Sequence, residues 1–108
     1  MSTITTDIFM REKALKLILE AIRELNEELE YESLEDANEN TTIYGGTEGI
    51  DSLSLVSLIV GIEGETDDVF GVRVALADEK AMSQRNSPYR SVGALADFIV
   101  ARLEAANA

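Results

Sequence analysis

Apolar residues recur along the first third of the chain at the spacing of one helix face. Ile8, Leu15, Ile18, Ile22, Leu25 and Leu29 are separated by seven, three, four, three and four positions, and Ala14 and Leu19 widen the stripe. That period predicts an amphipathic helix whose apolar face must be covered by other elements. Thr6 or Asp7 is a candidate cap at its start. The opposite face carries Glu12, Lys13, Lys16, Glu20, Arg23, Glu24, Glu27 and Glu28. Glu12 and Lys16, four apart, support the helix; Glu20 and Glu24 oppose it. A stripe of this kind builds a core rather than a ligand site.

The pattern dissolves from Ser33 to Ile50, where asparagine, threonine and glycine predict a long first loop pinned by Ile43 and Tyr44. From Ser52 to Phe70 a second helix is expected. Its first part, Leu53 to Ile62, is apolar at seven of ten positions and carries no hairpin signal. Being apolar nearly all round, it reads as a central helix touched on several sides. Gly61 and Gly64 weaken it by about 1 kcal/mol each relative to alanine, which points to close packing against a neighbour or to room for a bound chain. Val72 and Val74 anchor the following link. Asp78–Ser83 reads as a short helix capped by Asp78, and Arg85–Tyr89 as a loop. Ser91 then caps a last helix with Val92, Leu95, Ile99 and Leu103 on one face and Phe98 beside them. The tail, Ala105–Ala108, is expected to fray. The expected fold is all-α, a single domain over residues 1–108 with three long helices and one short one.

Composition narrows the function classes. Twenty-one acidic residues against nine basic ones give a formal charge of −12. That disfavours nucleic acid and anionic membrane surfaces as partners, because both are polyanions. It favours basic protein partners or cations. With neither cysteine nor histidine in the chain, there is no disulfide, thiolate metal site, cysteine nucleophile or imidazole base. An enzyme is therefore not expected. Residues 1–7 lack a basic stretch followed by an apolar run, and no apolar run is long enough for a membrane span. The expectation is a cytoplasmic monomer with no membrane insertion.

The most specific stretch lies between the loop and the second helix. Gly45-Gly46-Thr47-Glu48-Gly49-Ile50 leads into Asp51-Ser52-Leu53. A serine opening a helix is exposed, and helix N-termini favour phosphate. Gly49-Ile50-Asp51-Ser52-Leu53, read against Gly-x-Asp-Ser-Leu, resembles the prosthetic-group site of the acyl carrier protein family. The likeness in helix order extends from about Ile8 to Leu103. It implies a four-helix carrier bundle with 4′-phosphopantetheine joined through a phosphodiester to Ser52. The arm's thiol would hold acyl or aminoacyl groups as thioesters for enzymes of fatty-acid, polyketide or related biosynthesis. It also implies that a phosphopantetheinyl transferase recognises Asp51 and touches Leu53. The other partners it implies are acyl-transferring or condensing enzymes with basic docking surfaces. The excess apolar surface of the second helix adds the expectation that, in a carrier, Val56, Val60 and Leu95 shelter part of an acyl chain.

The chain departs from the family in three ways, one being that the segments from Ser52 to Phe70 and from Val74 to Ser91 are longer than usual. Glu48 stands where an apolar residue usually precedes the loop glycine, which leaves Ile43 or Ile50 to fill that packing role. The first turns after the serine carry Ser54 and Ser57 instead of acids, which appear at Glu63, Glu65, Asp67 and Asp68. These differences suggest a specialised carrier.

Three other readings compete. Ser52 could be no more than a helix cap on a non-catalytic acidic interaction module, with Asp51 an equal candidate for the cap. Asp36, Asn38 and Asn40 fall at positions one, three and five of a calcium loop. Thr41 and Thr47, however, stand where that loop needs glycine and a bidentate glutamate. A hydrolase built on Ser52 would need Lys80 or another lysine as its base.

Overall fold

The computed structural model describes residues 3–45, 49–77 and 87–106. Among these the fold is all-α. It contains α1 (Thr3–Leu29), α2 (Ser52–Phe70) and α3 (Val92–Ala106), with a 3-10 turn at Glu32–Leu34 after α1. The expected short helix at Asp78–Ser83 lies outside the described residues. The last helix continues through Ala105 to Ala106, two positions that were expected to fray.

The helix that sits centrally is α1, not α2. It packs against both of the others, whereas α2 and α3 do not approach each other's backbones. Ala14, Leu17, Ile18 and Ile22 are its buried residues, with Leu15, Leu19 and Leu25 half-buried beside them. The helix starts three residues before Thr6, and Ile8 is 55% exposed instead of closing the apolar stripe. Its neighbour Phe9 is open to solvent as well. Twenty-seven residues span about 40 Å at the α-helical rise, close to the molecule's 42 Å long axis. The fifteen residues of α3 cover only about half of that. α3 meets its expectation: Val92, Leu95, Ile99 and Leu103 are buried, and the Ser91 hydroxyl accepts the Ala94 N–H at 3.1 Å.

What fills the space between α2 and α3 is irregular chain. Thr66, fully buried on α2, donates its hydroxyl to the Glu63 carbonyl at 2.6 Å and accepts the Val74 N–H at 3.0 Å. The Glu63 carboxylate accepts the N–H groups of Leu76 and Ala77 at 2.6 and 3.0 Å. Tyr89, also fully buried, donates its hydroxyl to the Leu76 carbonyl and meets Phe98 of α3 edge-on at 6.1 Å. Side chains of α2 thus supply the backbone partners that segment 74–77 lacks as a non-helical stretch.

A second clamp ties the first loop to the start of α3. The Ile43 N–H donates to the Arg90 carbonyl, and Val92 and Gly93 donate to the carbonyls of Thr41 and Glu39, at 2.8–3.1 Å. Loop carbonyls therefore satisfy the first amides of α3, groups that a helix cannot satisfy itself. Arg11 of α1 joins this corner through Asp97 at 2.8 Å and through Glu39.

Candidate functional site

The glycine-rich loop is a closed return. The Ile50 N–H donates to the Ile43 carbonyl at 2.8 Å, and both isoleucines are buried. Both therefore take the apolar role that Glu48 cannot. Gly45 adopts φ +96°, and a Cβ on Gly49 would stand 2.7 Å from the backbone of Gly45. Only glycine allows the strands of the return to come so close. The loop delivers residue 51, in extended conformation, to the first turn of α2.

Capping of that turn falls to Asp51. Its Oδ1 accepts the Ser54 N–H at 2.8 Å and its Oδ2 accepts the Ser54 hydroxyl at 3.1 Å. The Tyr31 hydroxyl donates to Oδ2 at 3.5 Å. The Ser54 amide, joined by the Ser54 hydroxyl, the Leu53 amide and Tyr31, holds the Asp51 carboxyl below the usual aspartate range.

Ser52 is thereby released from capping. It is the first residue of α2, is exposed, and its hydroxyl has no hydrogen-bond partner among the described residues. Leu53 follows at 77% exposure. The three motif residues are contiguous and open to solvent. One expectation narrows: the first-turn amides are not all vacant for a phosphate, because Asp51 already occupies that of Ser54. A phosphodiester on Ser52 would lie beside the Asp51 carboxylate, with the positive end of the helix dipole acting on both anions.

Tyr31 has no local signal for its place here, twenty residues from Asp51 in sequence. Asn26 sets it: the Asn26 Oδ1 accepts the Tyr31 N–H at 2.8 Å and its Nδ2 donates to the Tyr31 carbonyl at 3.1 Å. Glu30, at φ 56°, turns the chain out of α1 in between.

The residues expected to shelter a chain are not gathered. Leu95 is fully buried, whereas Val56 and Val60 are 46% and 49% exposed. The apolar cavity beside them, lined by Leu55, Val56, Ile59, Ala77 and Tyr89, holds about 20 Å³. That is room for about one water and not for an acyl chain. In the segment that partly fits a calcium loop, the Asn38 side chain accepts the Asn40 N–H, and Thr41 accepts the Asn38 N–H, both at 2.8 Å. Among the described residues no group of three or more acidic side chains is placed to hold a metal ion. None of the described helices is long and apolar enough to cross a membrane.

No family model matches the chain, and no curated protein or solved structure matches it either.

Proposed function

We propose that this chain is a carrier protein whose Ser52 hydroxyl bears phosphopantetheine. The observation that supports this reading most is the division of labour at the start of α2. Asp51 does the capping, so Ser52 is left exposed and, among the described residues, unpartnered beside an exposed leucine. A serine needed only as a cap would have taken the Ser54 amide itself. The residues fit the group: the hydroxyl is accessible to a transferase, and the helix dipole favours the anion it would carry. When bound, phosphopantetheine supplies the thiol that thioester chemistry requires and that a chain without cysteine lacks.

The chain's own part is positioning. The closed loop and the Asp51 cap fix where the attachment oxygen stands. Leu53, Val56 and Val60 offer apolar contact to the transferase and then to acyl-transferring or condensing enzymes. Tethering raises the local concentration of the cargo at each of those active sites. The proteins that dock here would be basic, given the charge of −12.

Intact mass after incubation with coenzyme A, magnesium and a broad-specificity phosphopantetheinyl transferase tests the reading. One added phosphopantetheine group is expected on the wild type and none on Ser52→Ala. No gain on folded wild type would favour the alternative, an unmodified interaction module. The exposed apolar stripe Leu53, Val56 and Val60 is the observation on that side.

A further inference from the structure

Basic side chains are scarce in this chain, nine against twenty-one acids. Arg11 is held by Asp97 and Glu39, and Arg90 donates to the Ser87 carbonyl. Arg73 and Arg102 are placed differently. They come from the link after α2 and from the end of α3, and both line one pocket of about 310 Å³. Val72, Val74, Ala75 and Ala105 complete its lining, so among the described residues no acid lines it. The Glu63 Oε1 stands 3.7 Å from the Arg73 Nη2, beyond hydrogen-bond reach, while the other oxygen of that carboxylate takes the Leu76 and Ala77 amides. The Arg73 side chain is 59% exposed. Arg102 lies over the Phe98 ring at 4.9 Å, a stacking that steadies its guanidinium. Like charges brought to one pocket repel each other unless an anion joins them.

We propose that this pocket binds a small organic monocarboxylate with a short apolar body, its carboxylate held by Arg73 and Arg102. The planar fork of a guanidinium matches a carboxylate in shape and donates to both of its oxygens. The aliphatic part of the ligand lies on Val72, Ala75 and Ala105. Apolar walls with a few convergent polar groups are the usual make-up of a small-ligand site, and the volume is at the lower end of that class. Net charge narrows the occupant further. A chain at −12 repels polyanions, which disfavours nucleic acid and acidic peptides. A single charge meets the least of that repulsion, and an apolar body adds burial that an inorganic ion lacks. The pocket follows the last residue of α2, whereas Ser52 is its first, so nineteen helical residues, about 28 Å, lie between them. The inference therefore goes beyond the carrier reading and stands whether or not Ser52 is modified.

The test uses the full, unmodified chain with sodium hexanoate, and with hexylammonium, inorganic phosphate and a short glutamate peptide as comparison probes. Amide NMR titration is expected to show saturable binding of hexanoate alone at millimolar concentrations. The largest shifts should fall at Val72–Ala75 and Arg102–Ala105, and the melting temperature should rise with hexanoate concentration. Arg73→Gln and Arg102→Gln should each weaken binding at least tenfold while the ligand-free melting curve stays near that of the wild type. Ala105→Leu, which keeps both charges and narrows the pocket, should weaken it similarly. Should a glutamine variant fail to fold, judged by circular dichroism, Ala105→Leu carries the test. Undiminished binding to a folded variant, or shifts centred away from the pocket, would overturn the proposal. So would equal binding of phosphate or hexylammonium, a preference for the peptide, or no saturation by hexanoate. Because the experiment does not involve Ser52, its failure is separate from a failure of the mass measurement.

Discussion

Gly61→Ala should make the protein more stable and Gly71→Ala should make it less stable than the wild type, although a Cβ meets open space at both positions. Gly61 lies ten residues into α2, with ordinary helical backbone and an exposed surface. Adding the methyl group removes the entropic handicap of glycine and creates no contact that must be relieved. The gain is therefore the full helix-propensity difference, about 0.8–1.0 kcal/mol. Gly71 stands just past the end of the same helix at φ +75°, donating its N–H to the Asp67 carbonyl at 2.9 Å. There an L side chain crowds its own carbonyl, a cost of about 1–2 kcal/mol. The two variants should thus differ by roughly 2–3 kcal/mol with opposite signs about the wild type. For a domain near 100 residues, each kcal/mol moves the melting temperature by roughly 4–8 °C. Urea unfolding followed by circular dichroism gives the cleaner reading: the midpoint should rise for Gly61→Ala and fall for Gly71→Ala with the slope unchanged. A lowered midpoint for Gly61→Ala would mean that some group stands over this glycine in solution. The open space at this position would then be filled by the chain itself.

Two further outcomes follow from side chains next to Ser52 and in the core. Asp51→Asn keeps an acceptor for the Ser54 amide but removes the charge. The Asp51 carboxyl is depressed in the folded state, so its charge contributes stability above the unfolded value, about 3.9, and this is lost as the pH falls through the folded value. The wild type should therefore exceed the variant in urea midpoint at pH 7, and the gap should close towards pH 2; an equal gap at both would refute the assignment. Tyr89→Phe leaves the buried Leu76 carbonyl without its donor, which should cost about 1–3 kcal/mol. An unchanged melting temperature in a scanning experiment would show that the hydroxyl contributes nothing there.

The helices were legible because their signals are local. The boundaries of α2, Ser52 and Phe70, coincide with a capping residue before it and a glycine after it. The face of α3 follows from the spacing of Val92, Leu95, Ile99 and Leu103. The Asp51-Ser52-Leu53 motif was equally visible, since it is contiguous and sits at a helix start. Whether aspartate or serine did the capping was open in the sequence, because both are favoured there; the direction of one side chain decides it. What could not be read depends on contacts distant in sequence. Thr66 and Glu63 look like ordinary polar helix residues until segment 74–77 is laid against them. Tyr31 reaches Asp51 only because Asn26 turns the chain back. The apolar excess of α2 suggested a central helix because composition reports how much surface is apolar and not which part of it finds a neighbour. Ile8 misled for a related reason: periodicity marks a face of the helix and not how far along it that face is covered.

The clamp between Ile43 and Arg90 turns the intervening chain into a ring, and α2 lies wholly within it. α1 and α3 stay joined by their own contacts, and the clamp itself is made without any residue of α2. Detaching α2 therefore opens the ring's contents while the α1–α3 frame remains closed. Amide hydrogen exchange should register two tiers, with the α3 amides donated to Thr41 and Glu39 outlasting those of α2. A pull on Ser52 would act on the less protected tier, so α2 would yield without the remainder of the molecule coming apart.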